Sequence, residues 1–237
     1  MKSIVLSGLL LASLFFSSCR DCLEGQGSTT RQTLQLAYFD KIRVSGPLDV
    51  YVSQGDEQKV EVEGHQNVIN DLKRSTGGNE WDIEFRSPCV EDIGPFKVFI
   101  TVPKLERVKI DGSGDVLFTG SFGGQDLDLA ISGSGDVSSS GALTFSQIHS
   151  SISGSGTISL QGSASTHRID ISGSGDVLAY ELATSTTRVE ISGSGKAEVS
   201  ASELLAVKIS GSGDVFYKGD PSIEVEVSGS GGVKKVD

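Results

Sequence analysis

The chain has 237 residues, enough for one large domain or two small ones. Its 31 acidic residues against 20 Lys and Arg give a formal net charge of −11, which is repelled by phosphate backbones and argues against nucleic acid as a partner. Only three cysteines are present, with no CxxC or Cys/His cluster, so neither a structural zinc site nor any cofactor is expected.

Residues 1–18 read as a secretory signal: Lys2, the apolar run IVLSGLLLASLFF, then Ser17 and Ser18. The apolar run is shorter than the roughly 20 residues a spanning helix needs. Cys19, directly after two small residues, resembles the lipidation site of a bacterial lipobox, although Phe16 sits where Leu is commonest. The alternative is ordinary cleavage that leaves Cys19 a plain thiol. Removing residues 1–18 takes the charge from −11 to −12, which disfavours lying flat on anionic lipid. The expected arrangement is a lipid anchor in the membrane, a tether over 19–37 and a single head domain over 38–237. That places the protein in the cell envelope as an outer-membrane lipoprotein, with the surface or periplasmic face left open. Cys22 and Cys89 can form a disulfide in an oxidising compartment. Spacing alone leaves the pairing open, because the bond needs a suitable Cα separation and direction.

From residue 39 to 105 the pattern is strands with irregular turns. "KIRVSGPLDVYVSQGDEQKVEVEG" alternates through Ile42, Val44, Val50, Val52, Val60 and Val62. A turn at Gly77–Gly78–Asn79 precedes a strand through Trp81, Ile83 and Phe85, and "FKVFITVP" is a strand ended by Pro103. "SGPLDV" at Ser45–Val50 looks like a worn copy of a later heptapeptide. These segments are expected as irregular early coils. His65, His149 and His167 are isolated in sequence and are expected as surface polar residues.

The later heptapeptide, "ISGSGDV", begins identically at Ile131, Ile171 and Ile209. GSG recurs with its glycine pairs at Gly112 and Gly114, Gly133 and Gly135, Gly154 and Gly156, Gly173 and Gly175, Gly193 and Gly195, Gly211 and Gly213, and Gly229 and Gly231. The steps of 21, 21, 19, 20, 18 and 18 residues mark a solenoid. The expected fold is all-β: a parallel β-helix of about 18–21 residues per coil. A two-residue period puts Ile131, Gly133, Gly135 and Val137 inward and Ser132, Ser134 and Asp136 outward. Stacking then builds continuous apolar columns. Glycine has two readings here: a close approach of the opposite wall in a straight strand, or a corner with positive φ. The corner is favoured.

Outward positions form columns too. After each GSG stand Asp115, Asp136, Thr157, Asp176, Lys196, Asp214 and Gly232. Unbroken, such a column would repel itself, and Thr157 and Lys196 break it. A calcium ladder is disfavoured by that Lys and by a period that is not nine residues. Ser132, Ser153, Ser172, Ser192 and Ser210 form one hydroxyl column, and Ser134, Ser155, Ser174, Ser194 and Ser212 another. "GSGK" at Gly193–Lys196 fails as a phosphate loop, because Ala197 replaces the needed Ser or Thr.

The path from "FDKIRVSGPLDVYVSQGDEQKVEVEG" through "ITVPKLERVKIDGSGDV" to the repeated "ISGSGDV" resembles the head, or GIN, domain of a family called "putative auto-transporter adhesins". The resemblance implies an exported Gram-negative protein, often a lipoprotein, folded as a right-handed solenoid, in line with the chirality of parallel crossovers. It implies a non-catalytic adhesin or binding protein of the envelope and supplies no catalytic residues. No segment fits the strands of a self-translocating barrel. Two other functions compete: a periplasmic structural or assembly lipoprotein, and a carbohydrate-active β-helix enzyme. The enzyme needs one pair of carboxylates in a cleft, whereas these Asp residues recur as a ladder. A glycan ligand, a protein ligand and an oligomeric state all stay open.

Overall fold

The computed structural model describes residues 22–236, so the expected signal segment 1–18 and Cys19 lie outside the described residues. The first half comprises β1 (Thr29–Leu34), β2 (Lys41–Ser45), β3 (Asp49–Gln54), β4 (Lys59–His65), helix α1 (Gln66–Asp71), β5 (Thr76–Gly77), β6 (Glu80–Ile83) and β7 (Lys97–Val102). The repeats supply β8 (Arg107–Gly112), β9 (Asp115–Phe118), β10 (Phe122–Gly133), β11 (Asp136–Ser139), β12 (Leu143–Gly154) and β13 (Thr157–Gly173). They continue with β14 (Asp176–Gly193), β15 (Lys196–Gly211), β16 (Asp214–Lys218), β17 (Ser222–Gly229) and β18 (Gly232–Lys235).

The fold is a β-solenoid, as the period requires. GSG corners stack in strict register: Gly133 pairs with Gly112 and with Gly154, and the series runs on to Gly211 with Gly229. All ladders from β8 to β18 are parallel. Ile110, Ile131, Ile152, Ile171, Ile191 and Ile209 form one inward column, each at most 2% exposed. Each such burial stabilises the fold by roughly 2 kcal/mol relative to leaving the side chain in water. Coil lengths differ because register shifts between Ala179 and Ala183 and between Thr184 and Thr186 absorb the difference on the side away from the corners.

The two glycines of each corner do different jobs. Gly133 ends β10 with φ +140°, where an L side chain is strained, and a Cβ there would lie 2.2 Å from the Gly112 carbonyl oxygen. Gly135 faces inward, and its Cβ would meet the Gly114 oxygen at 2.1 Å and Ile110 Cγ2 at 2.9 Å. The expectation that Gly133 points inward is corrected: it is half-exposed at the bend, and only the second glycine is buried. The corner reading holds, at the first glycine; the second glycine is required by close approach of the neighbouring coil, not of the opposite wall. The bend also frees the Ser134 N–H, which donates to Gly112 O at 2.9 Å, and every later corner repeats that bond.

The first half departs from a simple run of early coils. "SGPLDV" is a true coil, because β2 pairs in parallel with β8 and β3 with β9. The chain then steps beneath it: β6 pairs with the other edge of β2, and β7 with the other edge of β3. β4 adds to β7 antiparallel, and β1 adds to β4 antiparallel, so the irregularity expected of this end includes a change of strand direction. Those strands cap the stack and protect its edge. Trp81 seals the interior beneath β2, its ring 5.6 Å from Phe39 and its Nε1–H donating to Lys73 O at 3.1 Å.

The tether expected over 19–37 is corrected where the chain is described. Leu23 bridges Val90, Asn67 Nδ2 donates to Glu24 O at 2.7 Å, and β1 lies on β4. Cys22 and Cys89 are joined as a disulfide with Cα atoms 4.7 Å apart, which closes the question left open by the sequence. Residues 22–34 are thus strapped to the body.

Candidate functional site

Stacking turns each outward sequence position into a row, and three surfaces result. The first is the corner ridge. Ser132, Ser153, Ser172, Ser192 and Ser210 are mutually in register and exposed, and Ser134, Ser155, Ser174, Ser194 and Ser212 stand exposed beside them. Next to the ridge the Asp ladder has a structural task. Asp115 Oδ1 accepts the Asp136 N–H at 3.1 Å, Asp136 Oδ1 accepts the Thr157 N–H at 2.8 Å, and Asp214 Oδ1 accepts the Gly232 N–H at 3.0 Å. Each carboxylate ties its corner to the next coil. Burial, with the like charges of Asp136 and Asp49, raises the Asp115 pKa above its ordinary value. Lys196 binds Glu198 at 2.8 Å, between Asp176 and Asp214 in the column.

The second surface is the ionic face before the corner. Arg107 contacts Asp128 at 2.7 Å, and His149 lies between Asp128 (Nδ1, 3.2 Å) and Asp170 (Nε2, 2.7 Å). Arg168 grips Asp170 through both Nε and Nη2 at 2.8 and 2.7 Å. Further along, a shallow depression of about 330 Å³ holds Asp170, Glu190, Lys208 and Glu226. Three of its carboxylates are ion-paired: Asp170 to Arg168 at 2.7 Å, Glu190 to Arg168 at 3.7 Å and Glu226 to Lys208 at 3.6 Å.

The third surface lies on the side away from the corners, where coil length varies. A groove of about 530 Å³ runs across the coils, with Thr144, Ser163, Ser165, Ser185, Ser200 and Ser202 along it. Its floor includes the buried small residues Ala164 and Ala201. Thr144 pairs with Ser163, Ser163 with Ala183 and Ala183 with Ser200, so this row carries hydroxyls interrupted by one methyl group. Sequence reasoning missed this groove. The readable signal was the small-polar run "GSAST", "LATST" and "VSASE" at one place in successive coils.

The histidines are also clearer in three dimensions. His149 is half-exposed, and hydrogen bonds to Asp128 and Asp170 raise its pKa. His167, expected at the surface, is buried at 1% exposure, with Nε2 2.9 Å from Ser150 Oγ, and burial pushes its pKa down to about 3. The two should pull the pH dependence of stability in opposite directions. The His149 contribution is fully present below its unfolded pKa of about 6.5 and is lost as pH rises through its higher folded value. His167 protonates first in the unfolded chain, so it costs stability as pH falls from about 6.5 toward about 3, roughly 2 kcal/mol by about pH 5. Urea unfolding near pH 5 and near pH 8 checks both. His149→Gln should lose more at the lower pH, and His167→Gln should gain on the parent there.

Among the described residues, the one cluster of metal-ligand composition, Cys22, Cys89 and Glu91, has both sulfurs committed to the disulfide. The "Putative auto-transporter adhesin, head GIN domain" family model matches residues 38–221, which include the seam of β2 and β3, the step through β6 and β7, and six of the seven GSG corners. The chain belongs to this family. Solved structures agree with that GIN-domain membership at the level of the fold. A "putative adhesin" from Bacteroides fragilis superposes with a TM-score of 0.82 at 22% identity, covering 90% of this chain and 100% of that one. A "putative adhesin" from Parabacteroides distasonis gives 0.72 at 27% identity, covering 91% and 100%. A "putative lipid binding protein" from the same species gives 0.76 at 22% identity, covering 91% and 99%. No curated protein matches the chain.

Proposed function

We propose that this GIN-domain protein is a non-catalytic adhesin of the cell envelope, held to the outer membrane through an acylated Cys19 and binding an extended, hydroxyl-rich polymer such as a glycan along its groove. The observation that carries the reading is a groove that crosses successive coils and is lined by small and hydroxyl side chains, Thr144, Ser163, Ser185 and Ser200 among them. Coils stand about 4.8 Å apart, so a polymer lying across them meets hydroxyls at short, regular intervals between methyl groups that its apolar faces can contact. Family membership supports adhesion, and the ion pairs that engage Asp128, Asp170, Glu190 and Glu226 on the ionic face support a role without catalysis. A glycosidase would need a carboxyl group whose environment holds its proton, opposite a second one across a cleft, whereas Asp115, the carboxyl with a raised pKa, uses its Oδ1 to accept the Asp136 N–H within the ladder. The net charge disfavours acidic polymers and leaves neutral ones favoured.

The test is binding of the purified chain to a panel of neutral and acidic polysaccharides. Ser163→Arg combined with Ser185→Arg fills the groove, and Ser172→Arg alters only the ridge. Retention on a neutral polymer, lost in the groove variant and kept in the ridge variant, supports the proposal. Loss in the ridge variant alone moves the site to the corner, and no retention by the parent sinks the glycan reading.

A further inference from the structure

The two ends of the stack are unlike. β1 and β4 close one end, but among the described residues nothing lies on the outer edge of β17 and β18. Ile223, Val225 and Val227 occupy the inward columns, one coil beyond Leu205, Val207 and Ile209. They are 45%, 50% and 39% exposed, against 0%, 4% and 1% for the residues beneath them. The interior is therefore open at this end, bordered by unpaired strand edge.

The charges on the terminal coil are also sorted. β17, running into the corner at Gly229–Gly231, carries Glu224 and Glu226. β18, running out of it, carries Lys234 and Lys235. A two-fold axis parallel to the bisector of the corner, passing over Ser230 about half a strand spacing (roughly 2.4 Å) beyond the terminal coil, lays β17 of one copy antiparallel on β18 of the other. The inside of the corner maps onto itself, so inward residues stay inward. The register is then fixed: Val227 faces Val233 of the second copy, Glu226 faces Lys234, and Val225 meets the stem of Lys235. The outward column that already alternates Glu190, Lys208, Glu226 continues with a lysine. Pairing β17 on β17 would instead oppose glutamates, which disfavours that arrangement.

We propose that the β17–β18 end is an isologous interface, through which two copies of this chain join end to end as an antiparallel dimer with a continuous apolar core. Backbone hydrogen bonds along both strand edges supply affinity, and the two Glu226–Lys234 pairs supply register. The groove and ridge stay free, and the inference stands independently of what they bind.

Sedimentation equilibrium of the purified full chain, in density-matched detergent, reads the association constant. A dimer is expected, weakened about tenfold or more by Glu226→Lys or by Lys234→Glu alone, since each reversal opposes two like-charge pairs. The double charge swap should return affinity to within about threefold of the parent. Val225→Arg should leave a monomer. Amide exchange over 223–235 should slow as the parent is concentrated. A chain that is monomeric at about 100 µM overturns the proposal. So does a dimer indifferent to the single reversals, or a double swap as weak as either single.

Discussion

Gly154→Ala should lower the unfolding free energy by about 3 kcal/mol or more, because the new methyl group meets two penalties at once. The residue sits at φ +144°, and its Cβ would lie 2.2 Å from the Gly133 carbonyl oxygen, a backbone atom that cannot turn aside. Relief requires prising two coils apart at the corner, which disturbs the Ser155 N–H bond to Gly133 O and the packing of Ile152 beside it. Gly77→Ala is the control, since a Cβ there meets nothing within 4 Å, and it should shift stability by less than about 0.5 kcal/mol. Urea unfolding of both variants against the parent checks the contrast. Equal midpoints for Gly154→Ala and the parent would mean that the corner glycine is not required.

Removing the disulfide should have a comparable effect by a different route. Cys22 and Cys89 are 67 residues apart in sequence, and closing a loop of that size in the unfolded chain is worth about 4 kcal/mol in the chain-entropy account. The loop encloses β1 to β6 and the capping strands' contacts, so the cross-link restrains the irregular end of the solenoid. The Cys22→Ser, Cys89→Ser double variant should unfold at clearly lower urea, followed by the fluorescence of Trp81, the single tryptophan. Mild reduction of the parent should reproduce the shift. An unchanged midpoint under both treatments would show that the strap adds nothing.

The sequence made the solenoid legible because the repeat writes its own geometry. Ile131 and Val137 flank a glycine pair, and only a stack gives Ile and Val at that spacing a common interior. The period also placed the Asp and Ser rows correctly. It was silent on the division of labour between Gly133 and Gly135, because a two-residue alternation cannot show that the first glycine leaves the strand. The antiparallel pairing of β4 with β7 and β1 was hidden for a related reason. Alternating Val60 and Val62 look alike whether the strand adds to a stack in parallel or caps it antiparallel. His167 was misplaced because it falls between Thr166 and Arg168, a polar neighbourhood in sequence, while its partner Ser150 is one coil away. Residues 22–34 read as a stalk from their Gly, Ser and Thr content, and Cys89 was the feature that could have argued otherwise.

Function was less legible than fold, because a column of identical side chains serves stacking and binding alike. The Asp ladder shows the difference: Asp115, Asp136 and Asp214 accept neighbouring N–H groups and so belong to the coil, whereas Thr144, Ser163 and Ser165 in the groove are exposed. That distinction needs coordinates. The proposed adhesin role further requires that the groove be reachable from outside the cell, which neither the strand pattern nor the charge decides.

Protease shaving of intact cells, followed by antibody detection alongside a known periplasmic lipoprotein, tests that requirement most directly. Loss of the GIN-domain protein while the periplasmic control survives is the result this account predicts. Full protection until the outer membrane is broken, with the purified protein shown to be cleavable, would contradict it and assign the solenoid to a structural or assembly role in the periplasm.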